Sequence, residues 1–344
     1  MSGLIPARKP AWDGVWAPDI PGFQFAPPGD VQTWLTERVL TRFSETTRII
    51  VGALTSTPER TGHYLVQLNG GEYVCHVKEV AGGGDLSVAA SIAEHLTSCG
   101  MTVTRYLQDH AGDWETSVSG LAITLTTYCT GRHCNGSRAD AAALGKALGD
   151  MHASLRIFPQ AMSVKQRSAS NVGQLMAARD AALATVLPSV PDEHLTLVQS
   201  AAKRYDPLFK FGGASQCLHG DITPGNIIFD ADGKVVFCDF EDAAFTFHDR
   251  LFDIASAVLR FCLVSPGSAD ECFIEDRRQA FFKAYCDTGE DVPAADLVNQ
   301  AMSNLVDHNV MVMWALSREG YLSSESEWSK FKHLREFADA QTTL

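Results

Sequence analysis

The stretch HGDITPGN, from His219 to Asn226, decides the fold together with VVFCDFED, which follows it at 235–242. In this stretch Asp221 is separated from Asn226 by four residues, and Asp239 comes next after a short apolar run. An enzyme that transfers phosphoryl groups from ATP needs one carboxylate to orient the attacking hydroxyl. It also needs an amide oxygen and a second carboxylate to hold magnesium on the triphosphate. The pattern therefore predicts an ATP-dependent phosphoryl-transfer site.

The residues around this site alternate between apolar runs and turns. The run 227–229 precedes the turn at 230–233, and a second apolar run follows at 235–237. Apolar runs on both sides of such a turn predict a β-hairpin, with Asn226 just before it and Asp239 just after it. The alternative is that these polar residues only cap turns and end strands. Their joint order favours a site.

Three motifs make the chain similar to a known superfamily. His219-Gly220-Asp221 with Asn226, then Asp239-Phe240-Glu241, then Asp253-Ile254-Ala255 occur in this order. They resemble the HGD-x4-N, DFE and D-[LI]-A motifs of the aminoglycoside phosphotransferase and choline kinase superfamily, whose members are small-molecule kinases with a protein-kinase-like fold. The resemblance covers most of the chain and is sharp between 217 and 255.

The resemblance implies ATP and Mg²⁺ as cofactors and a role for each motif residue. By this resemblance Asp221 is the catalytic base, and Asn226 and Asp239 are magnesium ligands. Glu241 reaches magnesium directly or through water. Asp253 is a buried structural carboxylate.

The implied fold class is α+β and two-lobed, and the pattern of the chain agrees with it. Residues 1–29 are rich in Pro and Trp and read as an irregular arm. Residues 30–130 predict a small N-terminal lobe with an antiparallel sheet and a helix. Its elements are a first helix over about 31–42, apolar strands within 48–80, a helix over 86–98, and strands at 102–107 and 121–129.

Residues 131–344 predict a larger, mainly helical C-terminal lobe that carries the catalytic and metal-binding loops. Its first helix runs from Ala139 to Leu155, with apolar residues on one face. Further helices are predicted at about 172–187, 193–209, 275–287, 294–319 and 325–340.

A phosphate-anchoring lysine is expected on the strand after the first hairpin, paired with a glutamate on the following helix. Lys78 and Glu94 are the residues of these types in those segments. However, His76 stands where members of the superfamily usually have the lysine. His76 and Lys78 share a strand face, so either could point at ATP. We expect Lys78 to be the anchor because its charge is permanent.

The remaining nucleotide contacts are predicted from position alone. The segment 55–62 should be the phosphate loop, with Ser56 and Thr57 offering hydroxyls and amides, although it lacks the G-x-G-x-x-G pattern and also reads as an ordinary polar turn. The segment 126–131 should connect the lobes. Tyr128 and Cys129 are its candidates for adenine contact through backbone groups.

Composition bounds the partners and the compartment. The chain has 344 residues and 45% apolar content, its longest apolar runs are too short to span a membrane, and its N-terminus lacks a signal-peptide pattern. Nine cysteines without CxxC pairs indicate free thiols in the cytoplasm. The net charge of −13 argues against nucleic acid as a partner.

That acidity leaves room for a cationic substrate. Candidate acidic residues are Asp242, Asp307 and Glu319, beside the aromatic Trp314, through ion pairing and cation–π contact. The same residues also fit ordinary surface charges. The acceptor hydroxyl could belong to an amino alcohol, a hydroxy-amino acid, an aminoglycoside or a sugar.

Two alternative functions are a protein kinase and a pseudokinase. A protein kinase is disfavoured because the chain has HGD in place of HRD, no glycine after Asp239-Phe240, and no APE-like segment. A pseudokinase that binds nucleotide and regulates a partner is the alternative from another class. The intact Asp221, Asn226 and Asp239 weigh against it.

Overall fold

The structure is a computed structural model that describes residues 29–44, 52–53, 62–79, 86–184, 192–207, 213–263, 271–291, 293–318 and 325–342. The arm predicted at 1–29 lies outside this part of the chain except for Gly29. Ser56 and Thr57 of the predicted phosphate loop also lie outside it, as does Glu319.

The described strands are β1 (Gly52–Ala53), β2 (Gly62–Leu68), β3 (Gly71–Glu79), β4 (Tyr106–Leu107), β5 (Thr116–Val118), β6 (Leu121–Thr127), β7 (Ser215–Cys217), β8 (Ile227–Phe229), β9 (Val235–Phe237) and β10 (Phe247–Asp249). The α-helices are α1 (Gly29–Trp34), α2 (Ser87–Ser98), α3 (Arg138–Leu155), α4 (Ala161–Leu183), α5 (Asp192–Arg204), α6 (Leu251–Ala257), α7 (Glu271–Cys286), α8 (Ala295–Arg318) and α9 (Glu325–Thr342). Helical turns of other pitch continue α1 to Arg42 and α6 to Leu263, and one such turn covers Asp242–Phe245.

The structure differs from the predicted elements most clearly at α4. The sequence predicts a helix from about residue 172, whereas α4 begins at Ala161. The segment 161–171 is polar on nearly every side, and Val164 is its one buried residue. A helix without an apolar stripe leaves no periodic signal in the sequence. The short strand β5 was also not predicted.

The described residues form two compact units. The strand unit comprises the described residues up to His133 together with Gly225–Glu241, and the helical unit comprises Cys134–Pro224 and the described residues from Asp242 onwards. The sequence predicts that all of 131–344 belongs to one lobe, whereas the structure groups Gly225–Glu241 with the strand unit.

The core of the strand unit lies on one face of an antiparallel sheet. The strand order is β1-β2-β3-β6-β4, and β5 also pairs with β6. On β3, Cys75 and Val77 are buried in a cluster with Trp34 and Leu35. Because side chains alternate along a strand, the residues between and beyond them, including Lys78, belong to the opposite face. That face carries the predicted anchor.

The β8–β9 hairpin is part of the strand unit because it continues that unit's backbone pairing. Thr104 N–H donates to Phe237 O at 2.9 Å. On the other strand, Arg132 and Phe229 exchange two backbone hydrogen bonds of 2.9 and 2.8 Å. An apolar hairpin whose edges are paired in this way leaves few of its backbone groups unsatisfied.

The helical unit is built around α6. Every residue of α6 and of the turns that follow it, 251–263, is buried. Helix α8 packs against α5, α6 and α9, and α3 packs against α7. The antiparallel pair β7 and β10 lies beside the start of α6. Among the helices described, not one is both long and apolar enough to cross a bilayer.

Candidate active site

The two predicted magnesium ligands lie near the open end of the β8–β9 hairpin. Ile227 pairs with Phe237 in the register of this hairpin. The next pair along is Asn226 with Cys238, and Cys238 N–H donates to Asn226 O at 2.9 Å. Asp239 is therefore one residue beyond the partner of Asn226. The hairpin predicted from the sequence brings these residues together as expected.

Asp239 has a backbone conformation that the sequence did not reveal. Its φ is +62°, in the left-handed region that residues other than glycine rarely adopt. Aspartate tolerates this region better than most residues, but it still costs free energy, and such residues cluster at functional sites. The left-handed residue turns the chain sharply at the end of β9.

Lys78 lies in an ion pair with Glu241. Its ammonium nitrogen is 2.6 Å from both Oε1 and Oε2 of the Glu241 carboxylate. The side chains remain 45% and 34% exposed. The predicted partner Glu94 lies exposed on α2. The carboxylate that the structure places on Lys78 is thus Glu241, and pairing with Glu94 stays a prediction.

Sequence analysis missed a second carboxylate in this region. Glu115 precedes β5, and burial raises the pKa of its carboxyl group. The negative charge of Glu241 raises that pKa further, whereas Lys78 lowers it. Nothing in the local sequence could have identified Glu115, because strand pairing between β5 and β6 brings it to this place.

His76 forms a polar pair with His63 directly across β2 and β3. The two rings stand edge to face with centroids 4.7 Å apart, and His76 Nε2 is 2.9 Å from Thr126 Oγ1. Burial lowers the pKa of His76 well below its ordinary value, and the positive field of Lys78 lowers it further. Burial also lowers the pKa of His63. Both rings are therefore neutral near pH 7.

We expect Lys78→Ala to weaken ATP binding or slow phosphoryl transfer more than His76→Ala does. The neutral His76 cannot supply a positive charge to a phosphate, whereas the ammonium group of Lys78 can. Nucleotide titration and turnover of both variants would check this ranking. A larger loss in His76→Ala would move the anchor to the histidine.

The loop that carries Asp221 is held by a buried carboxylate of α6. Asp253 accepts hydrogen bonds from the backbone N–H groups of His219 and Gly220, at 2.9 and 3.0 Å. His152 Nε2 lies 3.3 Å from the same carboxylate, and both side chains are fully buried. This geometry supports the structural role predicted for Asp253. The contribution of His152 was not predicted.

Gly220 allows the loop to make its turn. Its φ is +86°, and a Cβ atom there would collide with the hydroxyl of Thr246. One turn further, Ser256 of α6 donates to Ile222 O at 2.7 Å. Asp221 therefore lies between two points at which α6 fixes the backbone, and a residue held in this way loses little entropy when it orients a bound group.

Tyr128 and Cys129 follow β6 as predicted. Tyr128 N–H donates to Glu72 O at 2.9 Å. Both side chains are half-buried, and burial raises the pKa of the phenol and of the thiol, so both are protonated at neutral pH. Their contact with adenine remains a prediction.

Two residues expected to bind a cationic substrate have other roles. Asp307 accepts two hydrogen bonds from Arg204, at 2.8 and 3.0 Å, and lies 3.4 Å from Arg335. Trp314 is buried and donates its indole N–H to Ala178 O. Asp307 is thus neutralised by two arginines and Trp314 belongs to the core, so neither supports a cation site.

The donor set at the hairpin suits magnesium. Asn226, Asp239 and Glu241 offer oxygen atoms only, which is the preference of this hard cation. Among the residues described, no group of three or more His, Cys, Asp or Glu side chains could hold a metal by itself. Magnesium usually takes only one or two carboxylates from the protein and its other ligands from phosphate and water. The residues present therefore fit a nucleotide-bound magnesium ion.

Comparison with known proteins identifies the family. Residues 61–295 match the model of APH, the phosphotransferase enzyme family, which is more than half of the chain. The chain therefore belongs to this family and is a phosphotransferase, and the predicted superfamily is confirmed. Among curated proteins, no relative was found.

Solved structures with the same fold include several kinases. An amicoumacin kinase in complex with AMP-PNP, Ca²⁺ and Ami is 15% identical, with a TM-score of 0.61 over 90% of this chain and 93% of that one. Choline kinase LicA from Streptococcus pneumoniae is 13% identical, with a TM-score of 0.55 over 91% and 100%. A microcompartment-associated aminopropanol kinase is 13% identical, with a TM-score of 0.54 over 92% and 95%. These likenesses confirm the two-lobed, protein-kinase-like α+β fold.

Proposed function

We propose that this phosphotransferase moves the γ-phosphoryl group of ATP, in the presence of Mg²⁺, to a hydroxyl group of a small molecule. The observation that supports the proposal is the open end of the β8–β9 hairpin, where Asp239 is one residue beyond Cys238, the cross-strand partner of Asn226. Two oxygen donors at a sharp backbone turn suit a metal bridged to phosphates.

Each residue of the site then has a distinct role. Asn226 and Asp239 hold magnesium, and Glu241 supports it directly or through water. Bound magnesium supplies charge neutralisation for the phosphates. Lys78 binds phosphate oxygens through its ammonium group. Asp221 orients the acceptor hydroxyl and accepts its proton, because a carboxylate held by a fixed loop can act as a general base.

The acceptor is proposed to be an amino alcohol, a hydroxy-amino acid, an aminoglycoside or a sugar. Three structural neighbours are named as kinases of amicoumacin, choline and aminopropanol, which supports this range of acceptors. We propose that the protein works in the cytoplasm. Eight cysteines in the described segments are free thiols, which suits a reducing compartment.

We expect ATP to bind weakly without a divalent metal and more tightly with Mg²⁺. The reason is that the hairpin presents carboxylate and amide oxygens. Carboxylates repel phosphate and amide oxygens do not bind it unless a cation lies between them. Calorimetry with and without Mg²⁺ measures the metal dependence, and a panel of alcohols measures transfer. Equal affinity in both conditions would remove the metal assignment. ATP binding without transfer to any hydroxyl compound would favour a pseudokinase.

A further inference from the structure

We infer that Glu241 has two alternative partners: the Lys78 ammonium when no metal is bound, and the magnesium–nucleotide complex when it is. The inference rests on the proposed function and gives Glu241 a second task. When no metal is bound, Glu241 would form an ion pair with Lys78, the cation that ATP needs. This one ion pair would then make nucleotide binding depend on metal.

The geometry shows that the pair is direct. Both carboxylate oxygens of Glu241 lie 2.6 Å from the single Lys78 nitrogen. Lys78 is near the end of β3, and Glu241 follows the left-handed turn at Asp239 by two residues. Both residues belong to the strand unit. Glu241, which the sequence predicts to be a metal ligand, is thus paired with Lys78, which the sequence predicts to bind phosphate.

The exposure of the pair allows the exchange. The two side chains are 45% and 34% exposed, and an ion pair in contact with water is weak enough to be broken by a competing ligand. A phosphate group that approaches Lys78 must displace Glu241 and also meets its negative charge. Metal bound to Glu241 would remove both obstacles. Metal and nucleotide would then strengthen each other's binding reciprocally.

Glu115 supports this arrangement from the neighbouring strand. Its carboxyl group interacts electrostatically with both members of the pair, so the three charges share one neighbourhood. When Glu241 turns to the metal, Glu115 is a carboxylate that remains near Lys78. Lys78 would therefore not become an isolated cation while it waits for phosphate.

The test is ATP binding to Glu241→Gln in the presence of a chelator. We expect this variant to bind metal-free ATP roughly three- to tenfold more tightly than the unmodified protein at low salt, because a competing ion pair and a repulsive charge both disappear. The advantage from added Mg²⁺ should shrink in the same variant. Glu241→Asp keeps the charge and should keep metal-free binding weak.

Three controls separate this effect from simple loss of acidic charge. Glu37→Gln removes an exposed carboxylate from the segment after α1, whose buried residues pack in the cluster with Cys75 and Val77. Glu115→Gln removes a second carboxylate that interacts electrostatically with Lys78. The first should change metal-free ATP binding little, and the second should change it less than Glu241→Gln. Lys78→Ala combined with Glu241→Gln should abolish the gain.

Two outcomes would overturn the inference. Metal-free ATP binding in Glu241→Gln that is no tighter than in the unmodified protein would show that the pair does not oppose nucleotide. An equal gain in Glu37→Gln would reduce the effect to net charge. If the unmodified protein binds ATP with Mg²⁺ and transfers phosphate to a hydroxyl compound, either result contradicts only this inference and not the proposed function. Absence of any ATP binding would sink the proposed function as well.

Discussion

Asp221→Asn is expected to slow phosphoryl transfer by roughly 10²–10⁴-fold, the usual contribution of a positioned general base. The amide keeps the shape of the carboxylate but cannot take the hydroxyl proton. Because a loose, metaphosphate-like transition state requires little deprotonation of the nucleophile, the loss should be near the lower end of this range. Binding of ATP with Mg²⁺ should stay nearly intact, because the proposed metal ligands are Asn226 and Asp239 and not Asp221.

Single-turnover transfer and nucleotide titration on the same preparation would check this expectation. A matched control is Asp232→Asn, which makes the same chemical change at an exposed position in the turn between β8 and β9. The control should transfer phosphate at the normal rate. Full activity in Asp221→Asn would remove this residue from the mechanism, and with it the main reason to assign a general base to the HGD loop.

The sequence predicted the parts of the site that depend on local order. Asn226 and Asp239 are separated by a hairpin, and hairpins are encoded by adjacent apolar runs and a turn, so their proximity followed from the pattern alone. Asp253 also followed from its place in the superfamily motif at the start of an apolar helix. Its two backbone partners, His219 and Gly220, were not predictable from spacing.

The parts that depend on long-range pairing were not predicted. Glu241, an ionic partner of Lys78, is 163 residues away in sequence, and no local pattern identifies it as such. The role of Asp307 was misjudged for the same reason, because Arg204 reaches it from another helix. The left-handed backbone at Asp239 is likewise imposed by its surroundings, since aspartate has no intrinsic need for it.

The assignment of the β8–β9 hairpin to the strand unit has the same origin. Sequence order places the hairpin within the helical half of the chain. Its edges, however, pair with the backbone near Thr104 and Arg132, which precede it by about a hundred residues. Backbone groups of a buried hairpin must find partners, and those partners decide the unit to which it belongs.

The buried carboxylate of Asp253 is the other point at which one substitution should have a large effect. It accepts from the backbone N–H groups of His219 and Gly220 and lies beside His152, and the side chains of Asp253 and His152 are fully buried. A buried donor left without a partner costs about 1–3 kcal/mol. The loss of the acceptor for two backbone N–H donors and of the contact with His152 therefore adds up to a large penalty.

We accordingly expect Asp253→Ala to lower the free energy of unfolding by about 3 kcal/mol or more, and to lower Tm measurably. Thermal and denaturant unfolding would measure this loss. The control is Asp276→Ala, which breaks an ion pair between Arg138 and Asp276, whose side chains are 65% and 49% exposed, respectively. This control should change the free energy of unfolding by less than about 1 kcal/mol. Lost activity with an unchanged Tm in Asp253→Ala would mean that this carboxylate acts in the chemistry itself. A loss of both would instead show that the loop needs α6 to hold Asp221 in place.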